Sequence, residues 1–120
     1  MTDAAATAFA QHRALLDRVE ETLLPTAARV AERLVEAFAG EGRVFTFGNG
    51  GSSVDAQHFA EELVGRYKRD RRPLPAQSLS VDASVLTCIG NDYSFEEVFE
   101  RRVRGFVRAG DVVVGFTTSG

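Results

Sequence analysis

Hydrophobic positions along the chain follow two different periods, and the changes of period mark the predicted elements. Apolar residues recur at helical spacing from about Ala4 to Leu24 and again up to Gly40, with Pro25 placed to break the first helix and begin the second. Continuous apolar or β-branched runs predict strands, and the most apolar of them is typical of a strand buried on both faces of a parallel sheet. The strand-like runs are residues 44–47, 76–80 and 111–116.

Polar signals between these runs predict the remaining helices. A helical segment follows the first strand directly, and Asp82 is placed to cap a short helix that runs through Ile89. Residues 90–92 (Gly-Asn-Asp) predict a turn, and Ser94 with Glu97 matches a capping box for a helix to about Arg104. The order of elements predicts an α/β fold: a Rossmann-like parallel sheet flanked by helices and preceded by an N-terminal helical pair.

The last predicted strand runs into a hydroxyl-rich segment, residues 117–120, at the end of the sequence. A strand-to-helix turn without its helix leaves the strand uncovered and the turn without a helix dipole. We therefore expect a chain truncated after the third strand, a fragment of a longer product, with cover from a partner as the alternative. Residues 1–41 are predicted to be an oligomerising helical pair, and residues 42–120 the first part of a ligand-binding domain.

The strongest chemical signal is the glycine-rich turn Gly48–Ser53 between the first strand and its helix. Glycines let backbone amides approach a ligand closely, and a helix N-terminus adds unpaired N–H groups with a positive dipole end. Ser52 and Ser53 add hydroxyls. This turn is predicted to hold a phosphate.

The helix after that turn carries a row of polar residues on one face: Asp55, His58, Glu62 and Arg66. A histidine and a glutamate four residues apart can share a metal ion or divide acid and base work, and a simple structural pair is the alternative. For Asp55 we expect helix capping. Arg66 continues the row, while the rest of the basic run, residues 67–72, is expected to be a solvated loop.

Composition narrows the classes of protein without identifying one. The chain has 120 residues, a net charge of −3 and a single cysteine, so it has no global basic field for nucleic acid and no internal disulfide. Cys88 is expected to be a small buried hydrophobe. No apolar run reaches membrane-spanning length and no signal peptide is visible, so we expect a cytoplasmic protein without membrane or nucleic-acid partners.

Four motifs in order resemble one known family. The sequence GNGGS, the following DAxHFAEELxGRY, the C-x-G-N-D at residues 88–92 and the terminal TTSG are similar to those of the phosphoheptose isomerases of the sugar isomerase (SIS) domain superfamily. Those enzymes convert sedoheptulose 7-phosphate to D-glycero-D-manno-heptose 7-phosphate for cell-envelope polysaccharide (lipopolysaccharide) synthesis. The resemblance implies the same aldose–ketose isomerisation here.

The resemblance also implies site residues, a cofactor and an assembly. Glu62 matches the catalytic acid/base, and His58 and Glu62 match ligands of a zinc ion whose other ligands lie in a helix that this sequence lacks. A homotetramer formed through the N-terminal helices is implied as well. The positions that match substrate and phosphate contacts are Asn49, Gly50, Gly51, Ser52, Arg66, Asn91, Asp92, Thr117, Thr118 and Ser119.

Two functions remain as alternatives to the isomerase. A non-catalytic SIS protein of the replication-initiator-associating type shares the QHFA segment, but the carboxylate pair Glu61 and Glu62 favours the enzyme. A sugar-phosphate-sensing module is the other alternative, although no helix-turn-helix precedes the domain.

Overall fold

The computed structural model describes residues 2–120 and has a three-stranded parallel sheet with four helices, which confirms the predicted fold class. In chain order the elements are α1 Thr2–Ala39, β1 Val44–Gly48, α2 Gly51–Val64, β2 Ala76–Ser78, α3 Ala83–Asp92, α4 Glu97–Phe106 and β3 Val112–Phe116.

The strand β1 lies at the centre of the sheet, in the order β2-β1-β3. Val44 pairs with Ala76 on one side and with Val112 on the other, so the three strands start level with one another. Because both pairings are parallel, the carboxyl ends of all three strands point to the same edge of the sheet. Val44, Phe45 and Thr46 are almost completely buried, as expected for a strand covered on both faces. β3 differs from the prediction, because as an edge strand it has alternating half-buried and exposed residues and no fully buried one within the described chain.

The N-terminal segment forms one continuous helix, so the prediction that Pro25 separates two helices is wrong. Proline lacks the N–H that would bond to the carbonyl of Glu21, but that carbonyl lies on an exposed helix where water can replace the bond. The flanking alanines and leucines favour the helix on both sides. Contacts group residues 1–33 and 34–120 into two units, and the domain boundary near residue 41 stays a prediction.

Within the first unit, α1 presents an apolar row to solvent. The row recurs every seven residues, at Phe9, Leu16, Leu23 and Val30, and each of these side chains is about half or more exposed. This spacing is that of one of the two apolar positions in each heptad of a helix–helix seam. Among residues 2–120 no helix is both long and apolar enough to cross a bilayer.

The segment from Asp82 to Glu97 confirms one expectation and corrects three. Asp82 caps α3, because its carboxylate accepts from Val85 N at 3.1 Å. Residues 90–92 form the last turn of α3 and not a separate turn. α4 begins at Glu97 without a side-chain cap, since the backbone of Ser94 already accepts from Glu97 N at 3.2 Å. Cys88 was expected to be buried but is exposed, because α3 turns the neighbouring Ile89 towards the core.

A buried carboxylate fastens the starts of β1 and β3. Asp111 Oδ1 accepts from Arg43 N at 2.8 Å, and Oδ2 accepts from the Arg43 guanidinium at 2.7 Å and from Arg108 N at 2.9 Å. Arg43 also donates to the Phe106 carbonyl at 2.8 Å. The Arg43 bond holds the pKa of Asp111 down, from 3.8 to about 2. This ion pair therefore fixes the sheet edge opposite the glycine-rich turn.

Candidate functional site

The turn between β1 and α2 has the geometry of an anion-binding loop. α2 begins at Gly51, and no side chain caps its first turn. The unpaired N–H groups of that turn are free to bond to a ligand. Gly50 has φ +54°, a left-handed conformation that favours glycine.

The glycines of this turn serve different purposes. A Cβ on Gly48 would lie 2.5 Å from the carbonyl oxygen of Ser52, so Gly48 is required for packing against α2. A Cβ on Gly50 or Gly51 would meet nothing within 4 Å. The space in front of these two residues is open and leaves room for a ligand to approach the backbone.

The two hydroxyl-rich loops meet at the shared end of β1 and β3. A pocket of about 230 Å³ is lined by residues of both loops and by the Phe47 and Phe99 rings, which stack with centroids 4.7 Å apart. A shallower recess of about 600 Å³ adjoins it over the first turn of α2. The structure thus brings together most of the residues predicted from sequence for phosphate binding. Those lining one or both cavities are Asn49, Gly51, Ser52, Thr117, Thr118 and Ser119.

The hydroxyls of the two loops divide into two groups. Ser53 Oγ donates to the Gly50 carbonyl at 2.7 Å, and Thr117 Oγ1 accepts from Gly120 N at 3.1 Å, so both shape their own loops. The hydroxyls of Ser52, Thr118 and Ser119 have no hydrogen-bond partner within residues 2–120. These three are available to a bound anion.

The polar row on α2 leads away from the pocket between the two loops. His58 Nε2 lies 3.3 Å from Glu62 Oε1, and the Glu62 side chain is 31% exposed. Ten residues of helix separate Ser52 from Glu62, which corresponds to roughly 15 Å. Asp55 makes no capping bond and instead lines both the recess and the groove beside the row, so the capping expectation is wrong.

Three side chains at this row have the donor set of a metal site. One ligand atom each of His58, Glu61 and Glu62 lies within 4.8 Å of the others. An imidazole and two carboxylates fit Zn²⁺, which binds nitrogen and oxygen donors and is held by three protein ligands in catalytic sites. The family resemblance implies this role for His58 and Glu62 only, and Glu61 enters there only as a feature that favours an enzyme over a binding protein.

A groove of about 610 Å³ runs along the row, with Asp55, His58 and Glu62 on its polar side. Its apolar wall includes Phe59 and Phe116, whose ring centroids are 5.8 Å apart, and Leu63. Phe116 ends β3 immediately before the second hydroxyl loop, so the groove and the pocket between the two loops share this side chain.

Three residues from the sequence-based site lie elsewhere. α2 ends at Val64, so Arg66 does not continue the helical row and lines neither the groove nor the pocket between the two loops. Asn91 and Asp92 end α3, where Asn91 Nδ2 donates to Asp92 Oδ1 at 2.8 Å, and they line neither cavity.

The hydrogen bond to Asp92 raises the pKa of the Cys88 thiol, which disfavours a thiolate nucleophile.

Arg71 is the groove residue that sequence reasoning missed. Its guanidinium donates to the carbonyls of Glu62 at 2.6 Å and Leu63 at 2.8 Å. It thereby donates hydrogen bonds to carbonyls at the C-terminal end of α2, where a positive charge is also favourable. The basic run at residues 66–72 gave no signal to separate Arg71 from its solvated neighbours.

Comparison with known proteins gives a consistent result. Residues 9–120 match the model of the SIS domain family. The chain is 49% identical, over all 120 of its residues, to phosphoheptose isomerases of Pelobacter propionicus and Geobacter metallireducens, and it covers 64% of each. The chain thus spans slightly under two thirds of these relatives.

Solved structures agree with this match. The phosphoheptose isomerase GmhA from Neisseria gonorrhoeae superposes with a TM-score of 0.91 at 40% identity. A phosphoheptose isomerase from Francisella tularensis superposes with a TM-score of 0.93 at 32% identity. In each case the match covers 98% of this chain and 61% of the other.

Proposed function

The chain belongs to the SIS domain family, and we propose that it contributes the phosphate pocket and the acid/base residue of a phosphoheptose isomerase. The substrate is sedoheptulose 7-phosphate and the product D-glycero-D-manno-heptose 7-phosphate. One observation carries the proposal: a pocket lined by free hydroxyls opens beside a helical row that bears a histidine–glutamate pair. Relatives 49% identical to the chain bear the name of this enzyme.

The phosphate group binds in the pocket between the two loops. The amide groups of Gly51 and Ser52 at the start of α2 and the hydroxyls of Ser52, Thr118 and Ser119 donate to its oxygens. Because the chain carries a net charge of −3, this local donor set and not a global field attracts the dianion. The phosphate fixes one end of the sugar, and its carbon chain then extends along the groove towards Glu62.

Isomerisation moves a proton between two adjacent carbons through an enediol. Glu62 is proposed to accept that proton from one carbon and return it to the neighbouring carbon. Its carboxylate lines the groove beside Phe59 and Leu63, where an apolar wall reduces competition from water. His58, at 3.3 Å, orients the carboxylate.

Zinc is the proposed cofactor of this site. His58 and Glu62 would hold it, with Glu61 as an additional ligand that the geometry offers. When bound, zinc would supply a Lewis acid that polarises the substrate carbonyl. Calorimetric titration of the chain with Zn²⁺ tests the donor set: His58→Ala and Glu61→Gln should each weaken binding, whereas His12→Ala should not.

A homotetramer formed through α1 is the proposed assembly. The heptad row at Phe9, Leu16, Leu23 and Val30 is exposed, and burying such a row in a helix–helix seam removes apolar surface from water. Three further features stay predictions: the cytoplasmic location, the contribution to lipopolysaccharide synthesis, and the contacts of Arg66, Asn91 and Asp92 with the sugar.

The experiment that tests phosphate binding is an amide-resonance titration with sedoheptulose 7-phosphate. We expect the largest shifts at Gly50, Gly51 and Ser52 and at Thr118 and Ser119. Ser52→Ala should weaken binding by about tenfold, the value of a lost bond to a charged group. Shifts confined to residues outside the two loops would contradict the proposed pocket.

A further inference from the structure

The hydroxyl of Ser80 bonds to both backbone groups of Gly48, the residue that opens the phosphate loop. Gly48 N donates to Ser80 Oγ at 3.1 Å, and Ser80 Oγ donates to the Gly48 carbonyl at 2.9 Å. β2 ends at Ser78, which pairs with Thr46, so it stops short of the position opposite Gly48. One side chain thus replaces two missing sheet hydrogen bonds, because a hydroxyl donates and accepts at once.

Gly48 in turn determines where Ser52 lies. A Cβ on Gly48 would lie 2.5 Å from the carbonyl oxygen and 2.9 Å from the Cβ of Ser52, so the two residues pack without a gap. Between them, Gly50 and Gly51 face open space. The intervening loop therefore gets little support from packing, and its position depends on how firmly Gly48 is held.

The turn that carries Ser80 is itself anchored from two sides. Leu79 is fully buried, and its N–H donates to the Thr46 carbonyl at 2.7 Å. Its carbonyl accepts a hydrogen bond from Arg102 of α4, which is only 4% exposed. Arg102 Nε is buried without a partner within residues 2–120.

We propose that Ser80 is a positioning residue for the phosphate site and that Arg102 supports it by holding the turn. Neither side chain lines the phosphate pocket. Ser80 acts by fixing Gly48, and through it the hydroxyl of Ser52 and the amides of the first turn of α2. The effect on ligand affinity rests on the proposed function of this loop as a phosphate site.

The test compares Ser80→Ala, Ser80→Thr and Ser84→Ala with the parent chain. Ser84 is a matched control, because its hydroxyl also makes a side-chain bond, to Asp82 at 2.7 Å, without touching the loop. The first readout is amide hydrogen exchange at residues 48–53. Ser80→Ala should speed exchange there by about tenfold, whereas Ser80→Thr, which keeps the hydroxyl, and Ser84→Ala should leave it near the parent rate.

The second readout is the affinity for inorganic phosphate, which should fall about tenfold in Ser80→Ala and recover in Ser80→Thr. If exchange at residues 48–53 is unchanged in Ser80→Ala, the positioning role is refuted. If the parent chain does not bind phosphate or sugar phosphate, the proposed function fails, while exchange still decides the role of Ser80.

A second variant covers the case in which Ser80→Ala does not fold. Arg102→Met keeps most of the buried stem but removes the donor to the Leu79 carbonyl. The amide exchange rate at residues 48–53 should then increase. If both variants fold, the increase should be smaller in Arg102→Met than in Ser80→Ala. Faster exchange confined to α4 and the turn at residues 79–82 would contradict the proposed chain of contacts.

Discussion

Replacing Asp111 with Asn tests how a single ion pair holds the sheet together. The side chain is only 5% exposed, and its two oxygens accept from Arg43 and from Arg108 N. An amide keeps the size of the carboxylate but removes its charge and presents an NH₂ group to donors. We expect the variant to fold and to lose stability near neutral pH.

The size and pH dependence of this loss follow from the pKa of Asp111. Its fall from 3.8 to about 2 in the folded chain has the Arg43 hydrogen bond as its main cause. At about 1.4 kcal/mol per pKa unit the shift corresponds to roughly 2.5 kcal/mol, and partial exposure of Arg43 reduces this to roughly 2 kcal/mol. Because the folded pKa is the lower one, this contribution is complete above the unfolded value of 3.8. It is lost as the pH falls towards about 2.

Urea unfolding followed by circular dichroism measures the effect across this range. The difference in unfolding free energy between parent and Asp111→Asn should be roughly 2 kcal/mol at about pH 6 and should shrink as the pH approaches about 2. Asp70→Asn, the same change in an exposed loop, should show little difference at any pH. A difference between parent and Asp111→Asn that stays constant with pH would refute the reasoning.

Three further changes test other parts of the account. Gly48→Ala should lower the unfolding free energy in urea by about 1–3 kcal/mol, because the added Cβ meets the Ser52 backbone. Gly51→Ala should leave the unfolding free energy unchanged but weaken phosphate binding, and equal stabilities of the two variants would contradict the packing argument. Arg71→Met should destabilise the end of α2 and speed amide exchange there, unlike Arg69→Met in the exposed part of the same loop. Leu16→Asp should lower the mass measured by light scattering, whereas Gln11→Asp, off the apolar row, should not; an unchanged mass for Leu16→Asp would remove that row from the interface.

Local chemistry in the sequence was enough to predict the parallel sheet and the glycine-rich loop that follows its first strand. The order of strand, glycines and helix at residues 44–64 predicts the glycine-rich loop. It also predicts that this loop lies at the carboxyl-end edge of the sheet. Asp82 capped its helix as expected, because a cap depends on one side chain and its own turn.

Predictions that depended on distant contacts failed. Whether Pro25 ends a helix depends on whether water can satisfy the freed carbonyl. Whether Arg66 extends the helical row depends on where α2 stops, and Arg71, from the following loop, binds the carbonyls at that end. Neither Arg71 nor Ser80 has a sequence signal, since each acts across a loop or a sheet on a backbone group that composition does not reveal.

The most direct test of the central proposal is the isomerase activity of Glu62→Gln in the whole protein that contains this sequence. The assay follows conversion of sedoheptulose 7-phosphate to the heptose 7-phosphate, with Glu100→Gln on the exposed face of α4 as the control. Removing a general acid/base typically lowers the rate on the order of a hundredfold to ten-thousandfold. We predict a loss of this size for Glu62→Gln, with sugar-phosphate binding retained and full activity in the control. Full turnover by Glu62→Gln, or no turnover by the parent, would contradict the proposed function.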